Sequence, residues 1–430
     1  MEKLHSVTLD RDLCKGCTNC IKRCPTEAIR VRKGKAEILL GRCIDCGECI
    51  RVCPHHAKRA VYDTLSILKN YKYTIALPAP SLFGQFPDLE HVDVLLRALI
   101  TVGFDEVYEV AKAAEIVSDA TRKYMAEEEG LKKPIISSAC PTITRLIQIR
   151  FPNLIDHILP LITPAELAAK NAKKEAAART GLKEEEIGAI FISPCPAKVT
   201  TINNPIGIEK SHLDGAIAIK ELYPVLLAVM KKEDAKKIKT EAGIIGFGWG
   251  SSGGEATATE DDSYLAADGI ENCIRVLEDL EDEKFGVDFV ELNACPGGCV
   301  GGVLAVENPF IAMVKIKFLR EGLPVMQNIL QSGQEKKSLL WNRTVEYQPV
   351  MELDHDIATA MEKLSEIEAI TAELKGLDCG SCGSPSCRAF AEDIVKGESQ
   401  KEDCIFVLRE SMHDIAQKLA QLSSLEEGAE

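Results

Sequence analysis

The stretch Val287-Asp288-Phe289-Val290-Glu291-Leu292-Asn293-Ala294-Cys295-Pro296-Gly297-Gly298-Cys299-Val300-Gly301-Gly302 decides the fold. A strand-like apolar run breaks into a turn holding two cysteines among proline and glycine. Ser137-Ser138-Ala139-Cys140-Pro141 and Ser193-Pro194-Cys195-Pro196-Ala197-Lys198 repeat the arrangement after the runs PIISSA and AIFIS. In open α/β sheets ligands gather at the carboxyl ends of strands, where loops from separate strands converge. Four cysteines from three such loops can hold one metal cluster deep in a domain. The glycines around Cys299 let the backbone approach a bulky group closely. Buried structural thiols are the competing reading, which leaves unexplained why each cysteine abuts Pro or Gly at a strand end.

Working outward, residues 72–345 read as alternating α/β. YTIALPA, FDEVYEV, PIISSA, AIFIS, AGIIGF and VDFVEL are strand-like, and stretches such as AAEIVSDATRKYMAEEE are helical. ITPAELAAKNAKKEAAARTGLKEEE, rich in Ala, Lys and Glu, reads as a solvated amphipathic helix without chemistry of its own. A polar segment at residues 331–342 marks a boundary. The chain has 430 residues, a formal charge of −15 and 46% hydrophobic residues, with a mean hydropathy of −0.03. This is a globular composition with room for several domains. The acidic balance argues against nucleic acid, and no apolar run is long enough for a membrane span. The start, MEKLHSVTLDRD, has no apolar signal region, so a cytoplasmic location is expected.

Seventeen cysteines in such a chain point to metal rather than disulfides. Residues 1–65 contain Cys14-x2-Cys17-x2-Cys20-x3-Cys24-Pro25 and its copy Cys43-x2-Cys46-x2-Cys49-x3-Cys53-Pro54. In this pattern the fourth cysteine of each run serves the other cluster. Cys14, Cys17, Cys20 and Cys53 therefore form one [4Fe–4S] set, and Cys43, Cys46, Cys49 and Cys24 the second. A zinc site would use four thiolates and leave the rest idle. The module resembles a bacterial two-cluster ferredoxin domain. Residues 350–412 carry Cys379-x2-Cys382-x4-Cys387-x16-Cys404, led by a helical stretch and set in a Gly/Ser-rich loop. This run resembles the small [4Fe–4S] domain of membrane-complex ferredoxin subunits and corrinoid proteins, with zinc as the alternative. Residues 413–430 form a helical acidic tail. Cys273, alone in ENCIRVLEDL, reads as a buried core thiol.

The three central loops, in order and content, resemble the signature motifs of [FeFe]-hydrogenases. That resemblance implies an H-cluster, in which a [4Fe–4S] cubane held by Cys140, Cys195, Cys295 and Cys299 joins a diiron unit with CO and CN ligands through Cys299. It places Lys198 on the lysine that hydrogen-bonds one cyanide, and Pro80 and Ser81, in IALPAPSLFGQF, on the stretch that contacts the other. A solvated Lys198 and a helix-capping Ser81 are the bland alternatives. Gly103-Phe104-Asp105 also matches the family. The chain departs from it at Ala139, where a cysteine usually donates protons. Further departures are Thr121 and Tyr124 in place of relay glutamates, Ser193 and Asn293 in place of methionines, and Thr201 in place of a glutamate. Sensory-type and related divergent groups show similar departures, commonly with a PAS domain that this chain does not show.

The expected architecture is an α/β core of hydrogenase type with an N-terminal ferredoxin-like α+β module and a small, mainly helical C-terminal Fe–S domain. The expected activity is slow, reversible H2 oxidation and proton reduction, serving catalysis, hydrogen sensing or a larger redox complex. Its partners would be a ferredoxin or other redox protein, hydrogenase maturases, H2 and protons. A non-catalytic hydrogenase-like iron–sulfur protein, for cluster assembly or electron transfer, is the alternative.

Overall fold

The computed structural model describes residues 5–128, 130–230, 238–330 and 336–427. Residues 331–335 of the expected boundary and the last three residues of the tail lie outside them. The chain forms two compact units.

One unit comprises residues 5–7, 44–47 and 60–348. Its strands are β1 (Tyr73–Pro78), β2 (Glu106–Val107), β3 (Ile135–Ile136), β4 (Ile187–Ser193), β5 (Gly215–Ala218), β6 (Tyr264–Asp268) and β7 (Phe289–Asn293). They build two parallel sheets, in the orders β2-β1-β4-β5 and β6-β7-β3. Leu77 lies opposite Phe191, and Asp268 opposite Asn293. Parallel neighbours need crossover connections. These are supplied by α1 (Val92–Val102), α2 (Val110–Glu127), α3 (Pro141–Arg150), α4 (Pro164–Thr180), α5 (Pro196–Asn203), α6 (Ile219–Met230) and α7 (Ile270–Glu281).

Both faces of the larger sheet are covered, so its central strands are apolar throughout. Ile75, Leu77, Ala189 and Phe191 join the α2 and α4 side chains in one cluster. Ala76, Ile190, Ile192 and Ile217 join α1 and α6 in the other. This period-2 split fixes the register, because a one-residue slip would exchange the two cores. Asp105, of the Gly-Phe-Asp match, accepts from the Thr74 amide (2.8 Å) and hydroxyl (2.9 Å) and ties β2 to the start of β1.

Two expectations are corrected. AGIIGF is not a strand: Ile244–Gly248 is a short helix, held where the Glu115 carboxylate accepts from the Gly243 amide (2.6 Å). A short apolar run cannot by itself distinguish strand from buried helix. The Ala/Lys/Glu-rich helix α4 is not merely solvated. Ala165, Leu167, Ala168, Ala169, Ala172 and Ala176 are buried in the core, because methyl side chains let the helix axis approach the sheet closely.

The other unit comprises residues 8–43, 48–59 and 349–427. Ile29–Arg32 and Lys35–Ile38 form an antiparallel hairpin. Three helices follow late in the chain: Ile357–Glu373, Cys387–Val395 and Ile405–Glu427. The hairpin is bolted to the second of these by Asp393. Its buried carboxylate accepts from Arg30 Nε (3.0 and 2.7 Å), Arg32 Nη2 (2.6 Å) and Ser384 Oγ (2.6 Å). Val31 N donates to Gly383 O (2.7 Å). Gly383 has φ +85°, and a Cβ there would sit 1.9 Å from Val31 O, so only glycine fits. Arg42–Glu392 adds a second ion pair.

Removing Asp393 strands two arginines in a buried site, and breaking such a pair costs about 3 to 5 kcal/mol. Asp393→Ala is therefore expected to lower the denaturant midpoint of this unit, with Asp393→Asn intermediate. Equal stability of parent and Asp393→Ala in chemical unfolding would refute this.

Candidate metal centres and the central cavity

Cys140 and Cys195 stand at the N-caps of α3 and α5, each followed by proline at the first helical position. Proline suits that position because its fixed φ is helical and the missing N–H would be unpaired anyway. The thiols therefore face helix N-termini, where free N–H groups and the helix dipole favour negative charge. Burial pushes Cys140 up, against hydrogen bonds from the Ala294 and Ile143 amides. Burial, then the charge of Cys140, pushes Cys195 up to about 12. Ser193 brackets Cys195, accepting from its amide (3.1 Å) and donating to its carbonyl (2.9 Å).

The third loop leaves β7 at Asn293 and turns through Cys295 and Cys299. Gly298 has φ +86°, and a Cβ there would meet Ser252 N at 2.5 Å, so the loop lies flat against residues 251–252. Lys198 Nζ lies 3.8 Å from Cys299 Sγ. Burial works against its charge, but Cys299, Cys195 and Cys140 outweigh burial and hold its pKa above the ordinary lysine value. Lys198 is thus not a solvated surface charge. Cys295 begins the same turn, with Gly298 N donating to its carbonyl (3.1 Å). Cys273 is fully buried and its thiol lies 3.3 Å from Asn293 O. It is the core thiol expected of it.

A cavity of about 540 Å³, part of it open to solvent, lies beside this group, with Pro80, Ser81, Ala139, Lys198, Asn293 and Cys299 among its lining residues and Trp249, Glu255 and Glu291 also on its wall. Ser81 is completely buried and its hydroxyl has no partner, so it caps no helix. A half-buried ammonium and an orphaned buried hydroxyl beside a thiol fit a bulky group that carries hydrogen-bond acceptors. Neither Thr121 nor Tyr124 lines this cavity. Thr121 is buried and donates to Val117 O (2.9 Å), and Tyr124 packs on the apolar cluster of α2. Thr201 donates to Lys198 O (2.7 Å).

In the other unit, Cys14, Cys17, Cys20 and Cys53 line one cavity of about 330 Å³. Amides face the sulfurs: Ala36 N to Cys14 (3.4 Å) and Ala57 N to Cys53 (3.3 Å). Cys24 accepts from Ala28 N (3.2 Å), and Cys49, pushed up to about 12 chiefly by burial, also feels the charge of Cys24. Cys43 follows the turn Leu40–Arg42, and Cys46, in the segment 44–47 of the first unit, precedes the helix Glu48–Arg51. Cys379, Cys382, Cys387 and Cys404 all line one further cavity of about 370 Å³.

Sequence reasoning overlooked three groups. Glu255 and Glu291 bring two buried carboxyls to the central cavity. The acid inside the apolar run VDFVEL was the available signal for Glu291. The third is Lys58, which is 2% exposed with an unpartnered ammonium and acts electrostatically on Cys20, Cys24, Cys49 and Cys53. It stands where the first copy of the motif has Ile29, so the duplication itself exposes the substitution. An orphaned buried cation among thiols fits anionic iron–sulfur clusters. Lys58→Met should lower the midpoint potentials of the N-terminal clusters by on the order of 60 mV, a tenfold change for a one-electron couple. Potentiometric titration followed by electron paramagnetic resonance would reveal it, and unchanged potentials would contradict it.

The chain is similar to known proteins. The family model described as iron only hydrogenase large subunit, C-terminal domain, matches residues 72–260 and 254–303. A 4Fe-4S dicluster domain matches residues 6–54, and an Fe-S cluster family matches residues 374–406. Iron hydrogenase 1 of Clostridium pasteurianum is 24% identical over 373 residues, 70% of this chain but only 65% of that relative's length. The periplasmic [Fe] hydrogenase large subunit of Nitratidesulfovibrio vulgaris is 25% identical over 370 residues, covering 70% of this chain and 86% of the relative. A variant of the [FeFe]-hydrogenase HydA1 from Chlamydomonas reinhardtii superposes with a TM-score of 0.51 at 15% identity, over 65% of this chain and 95% of its own. Among the described residues no helix is long and apolar enough to cross a membrane. With its central half matched by that model and an iron–sulfur family match on either side, the chain belongs to the iron-only hydrogenase large-subunit family.

Proposed function

We propose that this protein interconverts H2 with protons and electrons at an H-cluster seated between the three cysteine loops and the 540 Å³ cavity. The observation that carries the reading is the pairing of Lys198 Nζ with Cys299 Sγ on the wall of the same cavity as the unpartnered Ser81 hydroxyl. Cys140, Cys195, Cys295 and Cys299 would hold the cubane, and Cys299 would bridge to the diiron unit. When bound, that unit would supply heterolytic H–H cleavage. Lys198 and Ser81 would orient it through hydrogen bonds to its anionic ligands, and the apolar wall of Pro80, Ala139 and Trp249 would exclude water. Electrons would leave through clusters held by Cys14, Cys17, Cys20 and Cys53, by Cys43, Cys46, Cys49 and Cys24, and by Cys379, Cys382, Cys387 and Cys404. The relative named a large subunit supports a redox partner protein or larger complex as the acceptor. Maturases would be needed to build the diiron unit.

Ala139 favours a second reading. It lines the cavity where the family usually places a proton-donating thiol. Slow turnover suited to hydrogen sensing, or a non-catalytic iron–sulfur protein without a diiron site, would follow.

Infrared spectroscopy of anaerobically matured protein separates these readings, since CO and CN stretches need the diiron unit and cubanes give none. The expected iron content is about sixteen atoms in four cubanes plus two more when matured. Cys299→Ser should abolish the CO and CN bands, whereas Cys379→Ser should keep them and slow only electron exchange. Iron near half that value, stoichiometric zinc, or bands surviving in Cys299→Ser would overturn the assignment.

A further inference from the structure

We infer that Glu255 and Glu291 hold one exchangeable proton between them at the wall of the central cavity and act as the proton donor and acceptor for a group bound there. The shared proton stands on the burial of the two carboxyls at one cavity wall and on their unequal hydrogen bonding, and its use in turnover rests on the hydrogenase reading. Both side chains are nearly inaccessible, at 5% and 3% exposure, and both line the cavity with Lys198 and Cys299. Two carboxyls so placed cannot both be ionised cheaply, and the one with fewer donors takes the proton.

The donors are divided unequally. Glu291 accepts from Gly253 N (3.0 Å), Ala256 N (2.8 Å) and Asn293 Nδ2 (2.6 Å), an arrangement that favours its ionised form. Glu255 has the Ser137 hydroxyl at 2.6 Å. That hydroxyl in turn accepts from the Ala139 amide at 3.1 Å. Glu255 is therefore the member that protonates. The charged and titratable groups facing it are Glu291 from β7, Lys198 from α5 and Cys299 from the third loop. Burial and then Glu291 push it up to about 8, against Ser137 and Lys198. A general acid with a pKa near neutrality is matched to proton transfer. The hydrogen-bonded step Ala139–Ser137–Glu255 sets this carboxyl next to the position where the chain lacks a thiol.

The test is difference infrared spectroscopy of the full-length protein, purified anaerobically, between about pH 6 and pH 9. The parent should show a carboxylic-acid C=O band that shifts in D2O and disappears as the pH rises through about 8. Glu255→Gln should remove the band. Glu291→Gln should move its loss to lower pH, because the neighbouring charge is gone. Ser137→Ala should move it to higher pH, because a donor to the ionised form is gone. If Glu255→Gln does not fold, the opposite shifts of the other two variants decide. No such band in the parent at pH 6, or a band that survives Glu255→Gln, overturns the shared proton. In protein showing CO and CN bands, Glu255→Gln should slow H2 production at least about 100-fold without changing those bands, and unchanged turnover overturns the transfer role. A parent with the carboxyl band but no CO or CN bands overturns the hydrogenase reading and leaves the shared proton standing.

Discussion

Burying thiolates is the constraint on which the rest of this structure depends. A desolvated sulfur anion is costly without compensating positive charge or hydrogen bonds. In the central unit the compensation is built from backbone. Cys140 and Cys195 each sit where a parallel strand ends and a proline-started helix begins, so N–H groups point at sulfur. The two parallel sheets exist to bring these strand ends together, and their register holds because opposite faces of β1 and β4 feed different apolar clusters.

Lysine completes the compensation in both units, by different routes. Lys198 lies on the first turn of α5, three residues after Cys195, and helical geometry alone carries its ammonium toward Cys299. Lys58 sits on the strand Lys58–Ala60, five residues after Cys53, with its charge buried among the thiols of both halves of the duplicate. Such a charge is stable only beside anions. Its burial is therefore a physical statement about what the cysteines hold, independent of their spacing.

The late helices solve a different problem. A small cysteine-rich loop such as residues 379–387 has little core of its own. Here it gains one through Asp393, whose carboxylate takes both strand arginines of the Ile29–Arg32 hairpin. Charge and hydrogen bonding join these segments, beside a small apolar cluster of Ile367, Ile370 and Ala391 within the late helices.

By itself the sequence determined the class of the fold and the presence of iron–sulfur domains. Cysteine spacing is local and survives without knowledge of the tertiary arrangement, and apolar runs ending in Cys-Pro or Cys-Pro-Gly-Gly mark strand ends directly. Pro80, Ser81, Lys198 and Cys299 were legible for the same reason, each lying inside a short contiguous motif. AGIIGF misled because a six-residue run of small and apolar residues fits a strand and a buried helix equally well. The alanine helix misled because a methyl side chain reveals nothing about how closely a neighbour approaches. Only the tertiary structure decided which carboxyls face the cavity. Glu255, Glu291 and Ser137 come from three segments remote in sequence, and hydrogen-bond distances, not spacing, join them. The same holds for Arg30 and Asp393, 363 residues apart. Pairing across such a separation leaves no local pattern, because what selects it is the cost of leaving either charge buried alone.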